Sequence, residues 1–129
     1  DADKYLINTP IDYKADEKTD ENYIYNLASV TQKPKFEGGM EAFFKLFYKY
    51  YRVPKELTDK DITAHLLFTF IIEKNGTLSN VKAIRDSGYG TREETMRVLK
   101  RLPKWSPGRV NDQPVRVNYV LPVTINEKK

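Results

Sequence analysis

The sequence predicts an α+β domain: a three-stranded antiparallel sheet packed against two helices in the order α-β-β-α-β, with room for an extra N-terminal strand. Three observations carry this expectation. Residues 40–52 repeat large apolar side chains at the helical period. Residues 62–73 and 115–125 alternate apolar side chains at the strand period. An Asn75-Gly76 pair follows the first of those strands, and Asn-Gly is the strongest short-range hairpin signal.

The elements follow in chain order. Residues 1–21 are acidic and lack apolar periodicity, as expected of an extended leader. We place the leader at residues 1–30 and the folded domain at residues 31–129. Within the leader, Tyr23 to Val30 is more apolar and suits a short strand docked on the domain. Pro34 restricts the chain, and Gly38-Gly39 supplies a flexible turn. In the first helix, Met40, Phe43, Phe44, Phe47 and Tyr51 form one stripe, with Lys45, Lys49 and Arg52 mostly outside it. Pro54 stops that helix.

In the first strand, Ile62, Ala64, Leu66, Phe68, Phe70 and Ile72 share one face. The other face carries Thr63, His65, Leu67, Thr69 and Ile71; it is half apolar and is expected to be covered in part. The partner strand runs from Leu78 to Asp86, and its Leu78, Val81, Ile84 spacing predicts a bulge. Thr91-Arg92-Glu93-Glu94 matches a capping box opening a helix to Leu102, with Met96, Leu99 and Leu102 on one face. Pro103 ends the helix, and Asn111 to Pro114 forms a turn. In the last strand Val115, Val117, Tyr119, Leu121, Val123 and Ile125 point one way. Arg116, Asn118, Val120, Pro122 and Thr124 point the other. Proline cannot donate to a ladder, so Pro122 predicts a sheet-edge strand with its missing N–H on the open side. The expected core is Phe43, Phe47, Phe68, Phe70, Leu99 and Trp105.

Composition sets bounds on chemistry. The 129 residues fit one domain, and 40% hydrophobic with 12% aromatic residues supply one core. The absence of cysteine excludes disulfides, thiolate nucleophiles and cysteine metal sites. The apolar run from Leu66 to Ile72 is too short to span a bilayer. No signal peptide is visible, so any export signal or anchor of the native protein is expected to have been removed. The net charge of +4 is uneven: the first 30 residues carry −4 and the remainder +8. A basic body raises nucleic acid or anionic lipid as partners, while a solubilising surface accounts for it more simply.

Sharper assignments compete with plain ones. Trp105 could stack on a ligand, but Pro103 and Pro107 fix a short connection that suits packing on the core. His65 is the sole histidine and has no evident nucleophile, orienter or metal-ligand partners. Asn75-Gly76-Thr77 matches a glycosylation sequon, and its turn role explains it better. The acids Asp16, Glu17, Asp20 and Glu21 lack the loop spacing of a calcium site. Tyr48 and Tyr50 alternate with Lys49 and Arg52 as in single-strand binders, but Phe47 and Tyr51 belong to the core stripe. We expect no catalytic residues, no metal, no cofactor and no nucleic-acid partner.

Five motifs occur in order. They are Pro34-Lys35-Phe36-Glu37-Gly38-Gly39, then Glu73-Lys74-Asn75-Gly76, then Arg85-Asp86-Ser87-Gly88. Leu102-Pro103-Lys104-Trp105-Ser106-Pro107-Gly108 and Pro114-Val115-Arg116-Val117 complete the set. Together, over residues 34–125, they resemble the TonB C-terminal domain family, in its variant with a Gly-Gly turn before the first helix. The resemblance implies a periplasmic energy-transducer domain that links an inner-membrane, proton-driven motor to outer-membrane transporters. It implies that a transporter's TonB box adds as a strand beside the last strand. Carried over, the partner-binding residues are Val115, Arg116, Val117, Asn118, Tyr119, Val120, Leu121, Pro122 and Val123. The family's membrane anchor and Pro-rich linker do not occur in this sequence, so motor contact would run through a segment outside it. A second use of the same edge stays open: self-association into a homodimer, as a sensory or scaffolding module of another membrane protein.

Overall fold

A computed structural model gives the fold and describes residues 20–126. The expected leader lies outside the described residues up to residue 19. Strand β1 (Ile24–Asn26) leads into a 3-10 turn (Leu27–Ser29). Helix α1 (Gly39–Tyr50), a short α2 (Lys55–Asp59), β2 (Ala64–Ile72) and β3 (Leu78–Arg85) follow. Helix α3 (Thr91–Arg101), β4 (Gly108–Val110) and β5 (Gln113–Ile125) complete the chain. The sheet order is β1-β5-β2-β3, with β4 also paired to β5. The architecture is the expected α+β one, with the optional N-terminal strand present and β4 added.

The core sits between the helices and one sheet face. Phe43, Phe47, Phe68, Phe70, Leu99 and Trp105 are all buried in one cluster, as their spacing predicts. Aromatic contacts run through it from helix to sheet. Phe43 lies 5.4 Å from Trp105, Trp105 lies 5.2 Å from Tyr119, and Tyr119 stacks on Phe70 at 5.6 Å. Trp105 thus packs its loop onto the core. The opposite face of β2 is covered in part: Ile71 is buried, while His65 is exposed. His65 therefore stands on the open face of the sheet.

Strand β2 keeps an unbroken nine-residue antiparallel register with β5, from Ala64 opposite Ile125 to Ile72 opposite Val117. The irregularity expected in β3 is present. The β2–β3 register shifts twice, and both times the extra residue lies on β3. The hairpin turn differs from the two-residue Asn-Gly type. Only Gly76 is left-handed (φ +86°), and its N–H donates to Glu73. A Cβ on Gly76 would collide with the Trp105 carbonyl oxygen, so glycine also permits a close approach.

Four expectations need correction. The first helix ends at Tyr50, and Tyr51 is extended but buried, so the stripe's last member packs from the connection. Helix α2 was not foreseen; a single apolar residue, the fully buried Leu57, gives no period to read. The capping box does not form. Gly90 is the N-cap, and the Thr91 hydroxyl donates backwards to the Gly88 carbonyl at 2.7 Å. Thr91 and Thr95 are instead buried against the Tyr51 hydroxyl, which reaches the Thr91 carbonyl and the Thr95 hydroxyl. The buried face of α3 is accordingly Thr91, Thr95, Val98 and Leu99, with Met96 and Leu102 packed at its border. Glu94, freed from capping, accepts from the Arg52 N–H at 2.7 Å and pairs with Arg97, which donates to the Tyr50 carbonyl. That pair stitches the end of α1 to α3.

Candidate functional site

Which main-chain groups of β5 are spoken for follows from alternation. The Glu73 N–H donates to the Thr77 carbonyl, and the His65 N–H faces the Ser87 hydroxyl of the β3 side. Odd-numbered residues of β2 therefore turn toward β3, and even-numbered ones toward β5. In the continuous register, Phe70 opposes Tyr119, Phe68 opposes Leu121 and Leu66 opposes Val123. Odd-numbered residues of β5 thus direct their N–H and C=O groups to β2. Even-numbered residues direct theirs to the other side.

The β4–β5 turn agrees with this parity. Asn111 and Asp112 both have positive φ (50° and 70°), the pattern of a two-residue hairpin closed by Val110 and Gln113. The odd residues Gln113 and Val115 then bond to β4, which continues the line of β2.

The expected partner-binding residues divide into three groups. Val115 is paired with Gly108 of β4. Arg116, Val117 and Asn118 face β1, which runs parallel to β5 with Ile24 opposite Arg116 and Asn26 opposite Asn118. The edge expected to be open is therefore occupied over these residues, so β5 is not a sheet-edge strand along its whole length. Tyr119, Val120, Leu121, Pro122 and Val123 have β2 on one side and, among the described residues, no strand on the other. Leu121 and Val123 are buried and Tyr119 half-buried on the core face; Val120 is 50% exposed. Pro122 is even-numbered, so its missing N–H lies on the open side, as edge placement requires.

Helix α1 stands beside this stretch. The Tyr119 hydroxyl lies 3.6 Å from the Met40 sulfur, and the Tyr48 hydroxyl donates to the Thr124 carbonyl at 2.8 Å. Phe44 lies between them in sequence and stacks on Tyr48 at 5.7 Å. Met40, Phe44 and Tyr48 are spaced i, i+4, i+8, so one row of the helix flanks the edge. Sequence reasoning placed the first two in the core stripe, weighed Tyr48 only as a nucleic-acid stacking residue and set Thr124 on the outward face of the last strand, but did not bring any of them together at this edge. The four-residue spacing was the available signal. Among the described residues, what the edge presents by this parity is the N–H groups of Val120 and Thr124 and the carbonyls of Val120 and Pro122.

At the other end, Arg116 is fixed by charge. Its Nε and Nη2 donate to Glu73 at 2.8 and 3.0 Å, and Nη1 donates to the Asn22 carbonyl at 3.0 Å. These bonds hold the Glu73 carboxyl below its ordinary range. Burial raises the Tyr119 phenol above its ordinary range. Among the described residues, no group of three His, Cys, Asp or Glu side chains is placed to hold a metal, and no helix is long and apolar enough to cross a membrane.

The family described as Gram-negative bacterial TonB protein C-terminal matches residues 49–125. No curated protein matches the chain. Among solved structures, the solution NMR structure of Helicobacter pylori TonB-CTD (residues 194–285) is similar at 15% identity and a TM-score of 0.49. That match covers 69% of this chain and 96% of the other.

Proposed function

This chain belongs to the TonB C-terminal family, and from that premise we propose that it captures an extended segment of an outer-membrane transporter by strand addition to β5. In that role it works in the periplasm and passes on force from an inner-membrane motor, contacted through a segment outside this chain. The observation that carries the proposal is the open side of β5 from Val120 to Thr124, with Pro122 turned outward and a row of helix α1 beside it.

Magnitudes favour a grip made of both main chain and side chains. About four main-chain bonds, each netting about 0.5–1.5 kcal/mol, give roughly 2–6 kcal/mol before ordering costs. Micromolar affinity needs about 8 kcal/mol. Apolar contacts must supply the rest, and Phe44, Tyr48 and Val120 flank the edge to do so. A grip of this strength releases readily, which suits a transducer that must let go. Calorimetric titration with synthetic peptides copied from the N-terminal segments of candidate transporters tests the proposal. Saturable binding that protects the Val120 and Thr124 amides from exchange supports it; failure of every peptide to bind refutes it.

A further inference from the structure

Strand β1 lies where a longer incoming strand would continue. It covers the even-numbered side of Arg116 to Asn118, directly before the open stretch, and the chain then turns off the edge through Leu27–Ser29. Behind the turn the chain is anchored: Val30 is buried, Thr31 and Gln32 donate to the Arg109 carbonyl, and Lys35 pairs with Ser106. Ahead of it Arg116 donates to the Asn22 carbonyl, the Asn22 N–H donates to the Asp20 side chain, the Tyr23 N–H donates to the Asp20 carbonyl, and the Tyr23 and Tyr25 rings meet edge to face at 4.7 Å. β1 itself is three residues long, with Ile24 and Asn26 exposed.

We propose that β1 is a displaceable cover on the partner-binding edge, hinged at Leu27–Ser29. Resting on the strand-addition function above, the partner-bound form has Ile24–Asn26 lifted from β5, and the incoming segment takes the main chain of Arg116 and Asn118. Three arguments favour displacement over docking beside a fixed β1. The stretch beyond β1 is interrupted by Pro122, and its last carbonyl already accepts from Tyr48. Adding the Arg116 carbonyl and the Asn118 N–H lengthens the ladder on its uninterrupted side. The 3-10 turn stands at Asn118, in the path of any strand running the length of β5. Finally, β1 pairs in parallel over three residues, which is slightly less stable per residue than antiparallel pairing, so an antiparallel segment would pair more stably per residue in its place.

A cover that is docked most of the time lowers apparent affinity by the fraction of molecules left open, so loosening it should tighten binding. The test uses the full chain with Tyr25→Pro, since parity directs the Tyr25 main chain to Arg116 and Asn118, with Tyr25→Ala as control. Peptides that bind the parent protein serve as probes, alongside amide hydrogen exchange. Tyr25→Pro is expected to bind at least about threefold tighter, with Leu121 and Val123 amides as protected as in the parent. Equal or weaker binding by Tyr25→Pro overturns the cover while leaving strand addition standing. An Asn118 amide that exchanges as slowly as Leu121 in the parent also overturns it, and needs no peptide. If no peptide binds parent or variant, strand addition itself fails and the cover fails with it.

Discussion

The Tyr48 hydroxyl donates to the Thr124 carbonyl across 2.8 Å, so a helix side chain rather than a strand holds the far end of the last strand's outer side. Tyr48 remains 45% exposed while doing so. Tyr48→Phe should cost only about 0.5–1.5 kcal/mol of stability, the net worth of one hydrogen bond. It keeps the ring stacked on Phe44, so peptide affinity should stay within about twofold. Tyr48→Ala removes the ring and should weaken peptide binding about tenfold, a loss of about 1.4 kcal/mol. Titration of both variants separates the hydroxyl from the ring.

Phe47 is fully buried between α1 and the sheet and contacts the rings of Phe43 and Tyr51 at 5.9 and 5.3 Å. Phe47→Ala should lower stability by about 3–5 kcal/mol in denaturant unfolding. An unchanged midpoint would mean that α1 packs by another face.

Gly76 combines a left-handed backbone with direct approach to the Trp105 carbonyl, and its own carbonyl accepts from the Trp105 N–H at 2.9 Å. Gly76→Ala must strain the turn and push the Trp105 loop from the core. A loss of at least about 1–3 kcal/mol is expected. Wild-type stability in that variant would contradict the close packing described.

Glu73 and Glu94 are both held below the ordinary value of 4.5, Glu73 chiefly by Arg116 and Glu94 chiefly by Arg97. A carboxyl with a lowered folded value releases its proton more readily in the folded than in the unfolded state. Its stabilisation is therefore complete above the ordinary carboxylate range and is lost as pH falls through the lowered folded value. Thermal midpoints should be flat with respect to these groups at neutral pH and should drop in acid below about pH 4.5. Glu73→Gln should make that acid-side drop shallower; an unaltered slope would show that the Arg116 pair carries no linkage.

Much of the fold was legible because it rests on local period. The stripe from Met40 to Phe47, the alternation of Ile62–Ile72 and Val117–Ile125, and the outward Pro122 all keep their expected sides. What was hidden depends on partners remote in sequence. Thr91 looks like a cap, and becomes a core residue only because Tyr51, far away in the chain, places its hydroxyl there. The parallel pairing of Ile24–Asn26 with Arg116–Asn118 likewise has no local signal, and it occupies part of the site that the last strand alone suggested. Leu57 is a lone apolar residue whose burial no period announces.

The central claim is that partner recognition runs through the outward main chain of β5, and the most direct measurement places proline there. Parity directs the Val120 N–H outward and the Leu121 N–H to β2, so the two neighbours make opposite tests. Val120→Pro removes one outward donor and should leave the circular dichroism spectrum intact. Leu121→Pro breaks the central ladder and should unfold the domain. Val120→Ala controls for the side chain. Calorimetric titration with a peptide that binds the parent should show binding nearly intact for Val120→Ala, and abolished for a folded Val120→Pro. A folded Val120→Pro that binds as tightly as the parent would contradict strand addition at this edge.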